Sequence, residues 1–168
     1  MKRKKTLLWI VLLAAVLIQF YRPARNKSDA AQPYDITTAY NTSPEVKDIL
    51  KRACNDCHSN NTVYPWYAEI QPVAWWMNKH VIDGKRHLNF NEFTNKPIGR
   101  QYKKLGETTE LVNEGEMPLS SYTIIHTNAK LTAAEKKLLN DWCDGIRATM
   151  KEKYPADSFV VKKRVAQK

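Results

Sequence analysis

The chain has 168 residues, 43% of them hydrophobic and 26% charged, with five Gly and eight Pro. That suffices for one domain with its own core and is too ordinary for a disordered, collagen-like or repeat protein. The formal charge of +10 sits at the ends, with seven Lys/Arg and no acid in residues 1–28 and four more in 161–168; between them 16 basic residues face 17 acidic ones. A near-neutral domain lacks the basic face that nucleic-acid binding needs.

The chain opens with Met-Lys-Arg-Lys-Lys and continues as an almost unbroken apolar run from Thr6 to Tyr21. A basic head before an apolar stretch is the pattern of export. Sixteen residues reach about 24 Å, short of a ~30 Å hydrocarbon core, with Lys5 and Arg22 placed to snorkel and Trp9 and Tyr21 to sit at the interfaces. No small-x-small cleavage site follows, since the run ends Gln19-Phe20-Tyr21-Arg22-Pro23. The sequence therefore predicts an uncleaved transmembrane signal anchor over residues 1–25, with a removed signal peptide as the alternative. Residues 26–43 are polar and without sustained periodicity. They read as a tether, with Tyr34, Ile36 and Tyr40 as its packing positions.

Ser43-Pro44-Glu45 is a helix start, with an N-cap, a Pro at the first helical position and an acid in the first turn. Val46, Ile49, Leu50, Ala53 and Cys57 follow on one face. At the end of this helix stands Cys54-Asn-Asp-Cys57-His58. C-x-x-C-H is the attachment signature of c-type haem. Cysteines three apart on one helical turn lie on the same side, so both can form thioethers with the vinyl groups of one porphyrin, and His58 then sits under the ring as proximal iron ligand. Three other readings stand beside it. A thioredoxin-like dithiol puts its cysteines where a helix begins after a strand, and no strand precedes this pair. A zinc site needs a second ligand pair at suitable spacing, which Cys143, His80, His87 and His126 do not supply. A Cys54–Cys57 disulfide leaves His58 without a role.

The stretch 64–93 is aromatic. Pro72 starts a helix with Val73, Trp76, Met77 and His80 on its apolar face, ending at Asp83-Gly84. Trp66, Tyr67, Trp75 and Trp76 read as hydrophobic cover for a porphyrin, with indole N–H groups for its propionates. His80 reads as a core histidine or propionate donor, and Arg86-His87 as a basic pair near the haem. A further helix runs from about Ile98 to Asn113. After it comes Glu114-Gly115-Glu116-Met117-Pro118, a loop that cannot continue as helix and suits Met117 as distal ligand, because a thioether is a soft, neutral donor that favours reduced iron. Ligation by His80, His87 or His126 stays open. Thr132 to Glu135 is a capping box, followed by Leu138, Leu139, Trp142, Ile146 and Met150 at helical spacing. Cys143 reads as a small buried hydrophobe.

A helix ending in C-x-x-C-H, then a Met loop, then a closing helix resembles the cytochrome c fold. Pro65-Trp66-Tyr67, Pro72 to Trp76, His80-Val81, Gly84 to Phe90, Gly115 to Pro118 and His126 resemble the bacterial haem-binding domain family over residues 44–147. The resemblance implies a small, membrane-anchored, single-haem protein that binds haem through Cys54, Cys57 and His58. The sequence thus predicts an all-α, cytochrome-c-like domain over 44–152, with an aromatic-rich insert and a basic tail over 153–168. Its predicted function is one-electron transfer, not enzymatic catalysis. The cofactor is one haem c per chain, with Cys54 and Cys57 in thioethers, His58 and Met117 on iron, and Trp66, Trp76, His80 and His87 as pocket candidates. Predicted partners are a redox protein at the bacterial inner membrane and the lipid bilayer itself, with the N-terminus cytoplasmic and the domain periplasmic. A ligand-binding or sensor haem with an open distal face is the alternative.

Overall fold

Local sequence signals account for the helices that build the core. The computed structural model describes residues 2–161, so the last seven residues of the basic tail lie outside the described residues. In chain order the helices are α1 (Lys2–Leu17), α2 (Ile36–Ala39), α3 (Pro44–Ala53), α4 (Asn55–His58), α5 (Val73–His87), α6 (Ile98–Glu114), α7 (Ser120–Thr123) and α8 (Ala133–Lys153), with short 3-10 turns between. Among the described residues there is no strand, and one isolated parallel bridge pairs Tyr34 with Glu92.

Helix α3 starts where Ser43 Oγ accepts a bond from Val46 N, and it buries Val46, Ile49, Leu50 and Ala53. Helix α8 starts at a reciprocal capping box, with Glu135 N donating to Thr132 Oγ1 (3.2 Å) and Thr132 N to Glu135 Oε2 (2.7 Å). It runs unbroken through Asp144-Gly145 to Lys153, burying Leu139, Cys143, Ile146 and Met150. Helix α6 packs against it through Leu105 and Val112. At Gly99 a Cβ would come within 2.9 Å of Ser158 O, so glycine lets the Ala156–Phe159 turn close over the start of α6. The segment 26–43 lies along the domain. Asp35 caps α2, Ile36 is 0% exposed, and Ile36 N donates to Phe90 O (3.0 Å).

Two expectations are corrected. The predicted transmembrane anchor over residues 1–25 does not hold: among the described residues no helix is long and apolar enough to cross a membrane. Helix α1 begins at Lys2, so its first four residues are basic and its apolar part runs only from Thr6 to Leu17, about 18 Å at ~1.5 Å per residue. Beyond Leu17 the run bends into a turn and is fastened to the domain. Gln71 N donates to Gln19 Oε1 (2.9 Å), while Gln71 Nε2 (2.8 Å) and Trp75 Nε1 (3.0 Å) both donate to Tyr21 O.

The second correction concerns α5. It continues through Gly84 to His87, and its buried residues are Ala74 and Val81, whereas Val73, Trp76, Met77 and His80 are only partly covered. Along the same stripe α5 comes close to α4: a Cβ on Gly84 would come within 2.5 Å of Cys57 O. Trp76, Met77 and His80 line the hollow beside Cys57 and lie outside the apolar core.

Candidate functional site

The C-x-x-C-H segment is a single turn set apart from α3. The chain leaves helical geometry at Cys54 (φ −127°, ψ −43°), so Cys57 does not extend the buried face of α3 as the periodicity predicts. The turn restarts with Cys57 N and His58 N both donating to Cys54 O, at 3.2 and 2.9 Å. Asp56, between the cysteines, pins it. Its carboxylate accepts from Val63 N (2.9 Å) and Tyr122 OH (2.7 Å), and its carbonyl from Thr62 Oγ1 (2.6 Å). The same carboxylate and burial, burial first, push the Tyr122 hydroxyl far above the usual phenol range.

His58 Nδ1 lies 2.9 Å from Leu88 O. A carbonyl only accepts, so Nδ1 carries the proton and Nε2 the free lone pair. Burial holds the ring below the ordinary imidazole range, against the opposing pull of the Leu88 and Gly84 carbonyls, so it is neutral at pH 7. A neutral imidazole with one nitrogen tied back and the other free is oriented for ligation.

Cys54, Cys57, His58 and Met117 line one cavity of about 370 Å³. Met117 reaches it from a helix end built for reversal. Gly115 adopts φ 77°, Gly115 N donates to Val112 O and Glu116 N to Leu111 O, the Schellman pattern that only a residue tolerant of left-handed φ accepts readily. Met117 N also bonds Leu111 O (3.1 Å), and the side chain packs on the hydrophobic core. Both cysteines are free thiols. Burial, with Cys57 adding to it, pushes Cys54 up to about 12; burial, with Asp56 adding, pushes Cys57 up to about 11. Redox dithiols depend on stabilised thiolates, the opposite condition. Among the described residues no three His, Cys, Asp or Glu come together to hold a metal ion.

The remaining sequence candidates divide. His80 and His87 line the same cavity. Trp76 packs edge-on against His80 at 4.4 Å, is 49% exposed, and lines a smaller hollow of about 50 Å³ beside Cys57. Trp66 is 77% exposed, packs on Tyr67 and lines neither space. Trp75 gives its indole N–H to Tyr21 O. His126 lines the smaller hollow, where its Nε2 lies 2.7 Å from Tyr67 OH and its ring stacks on Tyr122. Cys143 is fully buried in the core.

A family model described as a haem-binding domain matches residues 13–145. The chain belongs to the haem-binding domain family. It binds haem. No curated protein and no solved structure matches it. The residues present fit the group: two thiols, an imidazole with a free Nε2 and a thioether face one largely apolar space, within the ~300–1,000 Å³ of small-molecule sites.

Several residues that shape the cavity escape sequence reasoning. Leu88 acts through its carbonyl, which no side-chain pattern reports. Lys104 lines the cavity and its side chain is 21% exposed. Asn26 clamps the loop after His58, with Nδ2 donating to Ser59 O and Thr62 Oγ1, and Oδ1 accepting from Lys85 Nζ. The signals that could have found others are an isolated Gly84 inside a helical pattern and an acid between the two cysteines.

Proposed function

We propose that this haem-binding protein is a monohaem c-type electron-transfer protein. Cys54 and Cys57 hold the group by thioethers, His58 Nε2 is the proximal iron ligand, and Met117 Sδ the distal one. The observation that carries the reading is the shared cavity, in which two protonated thiols, a neutral oriented imidazole and a thioether meet. Bound there, haem supplies a one-electron iron couple.

The chain's own residues do the rest. The Leu88 carbonyl keeps His58 in one tautomer and one orientation. The Schellman turn at Gly115 and the core contacts of Met117 aim a soft donor at the cavity without a flexible loop. Apolar walls exclude water, so both ligands stay in place through an oxidation change. No residue is assigned a catalytic role. The basic head and apolar run, together with thioether chemistry, support export of the domain to the periplasmic side, where a redox protein at the inner membrane is its partner; nucleic acid is not.

The deciding experiment matures the full chain with a c-type haem apparatus and stains a denaturing gel for haem, beside Cys57→Ala. Stain should stay with the wild-type band and be lost or strongly weakened in the variant. A wild-type band without stain, beside a control cytochrome that is stained, refutes covalent attachment. In the loaded protein, Met117→Ala should abolish the low-spin, Met-ligated spectrum and lower the potential. An unchanged spectrum would favour an open distal face or a histidine ligand, with His80 and His87 already lining the cavity.

A further inference from the structure

Beside the haem cavity lies a second cleft of about 110 Å³, and the two share His87, Leu88 and Lys104. Its lining includes the cations Lys85, Arg86, Lys96, Arg100 and Lys104, against Glu92 as the one acid. Some of this charge is already answered. Arg86 pairs with Asp83 at 2.9 Å, and Lys85 Nζ donates to Asn26 Oδ1 at 2.5 Å. Lys104 meets Glu107 at 2.5 Å, but Glu107 also pairs with Lys103 at 3.2 Å, so two ammonium groups share one carboxylate. Lys96 and Arg100 form no ion pair among the described residues. In a domain of near-neutral total charge this is a local excess of cations at one end of an apolar cavity.

The other end is the cysteine end. The smaller hollow meets the haem cavity at Asp56, Cys57, His80 and Tyr122, and Lys104 and His87 do not line it; neither cysteine lines the cationic cleft. Haem has the same polarity, because its two vinyl groups and its two propionates occupy opposite sides of the macrocycle. Thioethers at Cys54 and Cys57 would hold the vinyl side at one end of the cavity, and the carboxylates must then emerge at the other. An ionised carboxylate leaving an apolar pocket needs a counter-charge or water.

We propose that the cationic cleft seats the haem propionates, with Lys104 and Arg100 as their hydrogen-bonding counter-charges. This rests on the thioether attachment proposed above, which fixes the opposite edge. Lys104 is the pivot: Lys103 can hold Glu107 while Lys104 turns to a propionate. Arg100, a planar fork with no acid partner, suits a carboxylate in bidentate fashion.

The test is resonance Raman spectroscopy of the haem-loaded full chain, read in the propionate-bending region, for wild type, Lys104→Met, Arg100→Gln and Lys137→Met. The first two variants should shift the band toward weaker hydrogen bonding. Lys137→Met removes an equal charge from a side chain 75% exposed and outside both the cleft and the cavity, and it should leave the band in place. If a neutral variant fails to take up haem, Lys104→Arg and Arg100→Lys keep the charge, reposition the donors and should still move the band. Bands unmoved by any change at Lys104 and Arg100, or moved equally in all three neutral variants, overturn the assignment.

A second arm titrates poly-glutamate into the loaded protein. Binding that Arg100→Gln abolishes, while the Raman band stays fixed, would give the cleft to an external acidic surface and overturn the proposal. Absence of binding supports a cleft already filled from within. Wild-type haem that is not covalently held would break the attachment reading first, on the denaturing gel, so the two failures are read on different instruments.

Discussion

Two walls of the cavity that Cys54, Cys57, His58 and Met117 line are held in different ways. The α3–α4 wall stands on apolar burial: four of the ten residues of α3 are buried, three of them Val, Ile and Leu. The α5 wall has only Ala74 and Val81 buried among fifteen. It is held by a backbone approach at Gly84, by Lys85 on Asn26, and by Gln71 and Trp75 on the end of the apolar run. A wall made of large side chains announces itself in periodicity. One made of a missing side chain and of polar ties does not.

The contrast can be broken by mutation. The largest effect should come from Ile49→Ala, which empties a fully buried site on the first wall and should cost about 2–5 kcal/mol in denaturant unfolding. A cost well under that range would mean that α3 is not the foundation of the site. Gly84→Ala should cost about 1–3 kcal/mol as the new methyl group forces α5 off Cys57, and haem loading should fall with it, because α4 carries Cys57 and His58 and starts at Cys54. Unchanged stability and loading would show that the approach is looser than 2.5 Å implies. Trp66→Ala should sit at the bottom of the scale, within about 0.5 kcal/mol of wild type, with an unaltered haem spectrum. A spectral change there would show that this exposed indole reaches the cofactor after all.

Much of the first wall is legible in the chain. Ser43-Pro44-Glu45 starts α3 through hydrogen-bond chemistry within one turn, as does the Thr132–Glu135 box at α8, and such signals need no tertiary context. The C-x-x-C-H string is likewise local, and Met117 follows a glycine that reverses the chain. The second wall defeats the same reasoning. Trp76 and His80 have the spacing of a core face, yet they line the hollow beside Cys57 and are only partly covered. Trp66 looks like cover for a porphyrin and is exposed. Lys104 lines the cavity without any local signal that marks it.

The N-terminal run shows the limit from the other side. Its hydropathy is plain, but where a helix stops depends on what fastens its end, and here Gln71 and Trp75 do so. The sequence by itself determined the all-helical class and the starts of α3 and α8, because each rests on interactions within a few residues. Only the tertiary structure decided the tautomer of His58, the face of α5, the length of apolar helix and the cationic end of the cavity. Those depend on a carbonyl, a glycine, a pair of polar side chains and a set of lysines and arginines brought together from distant parts of the chain.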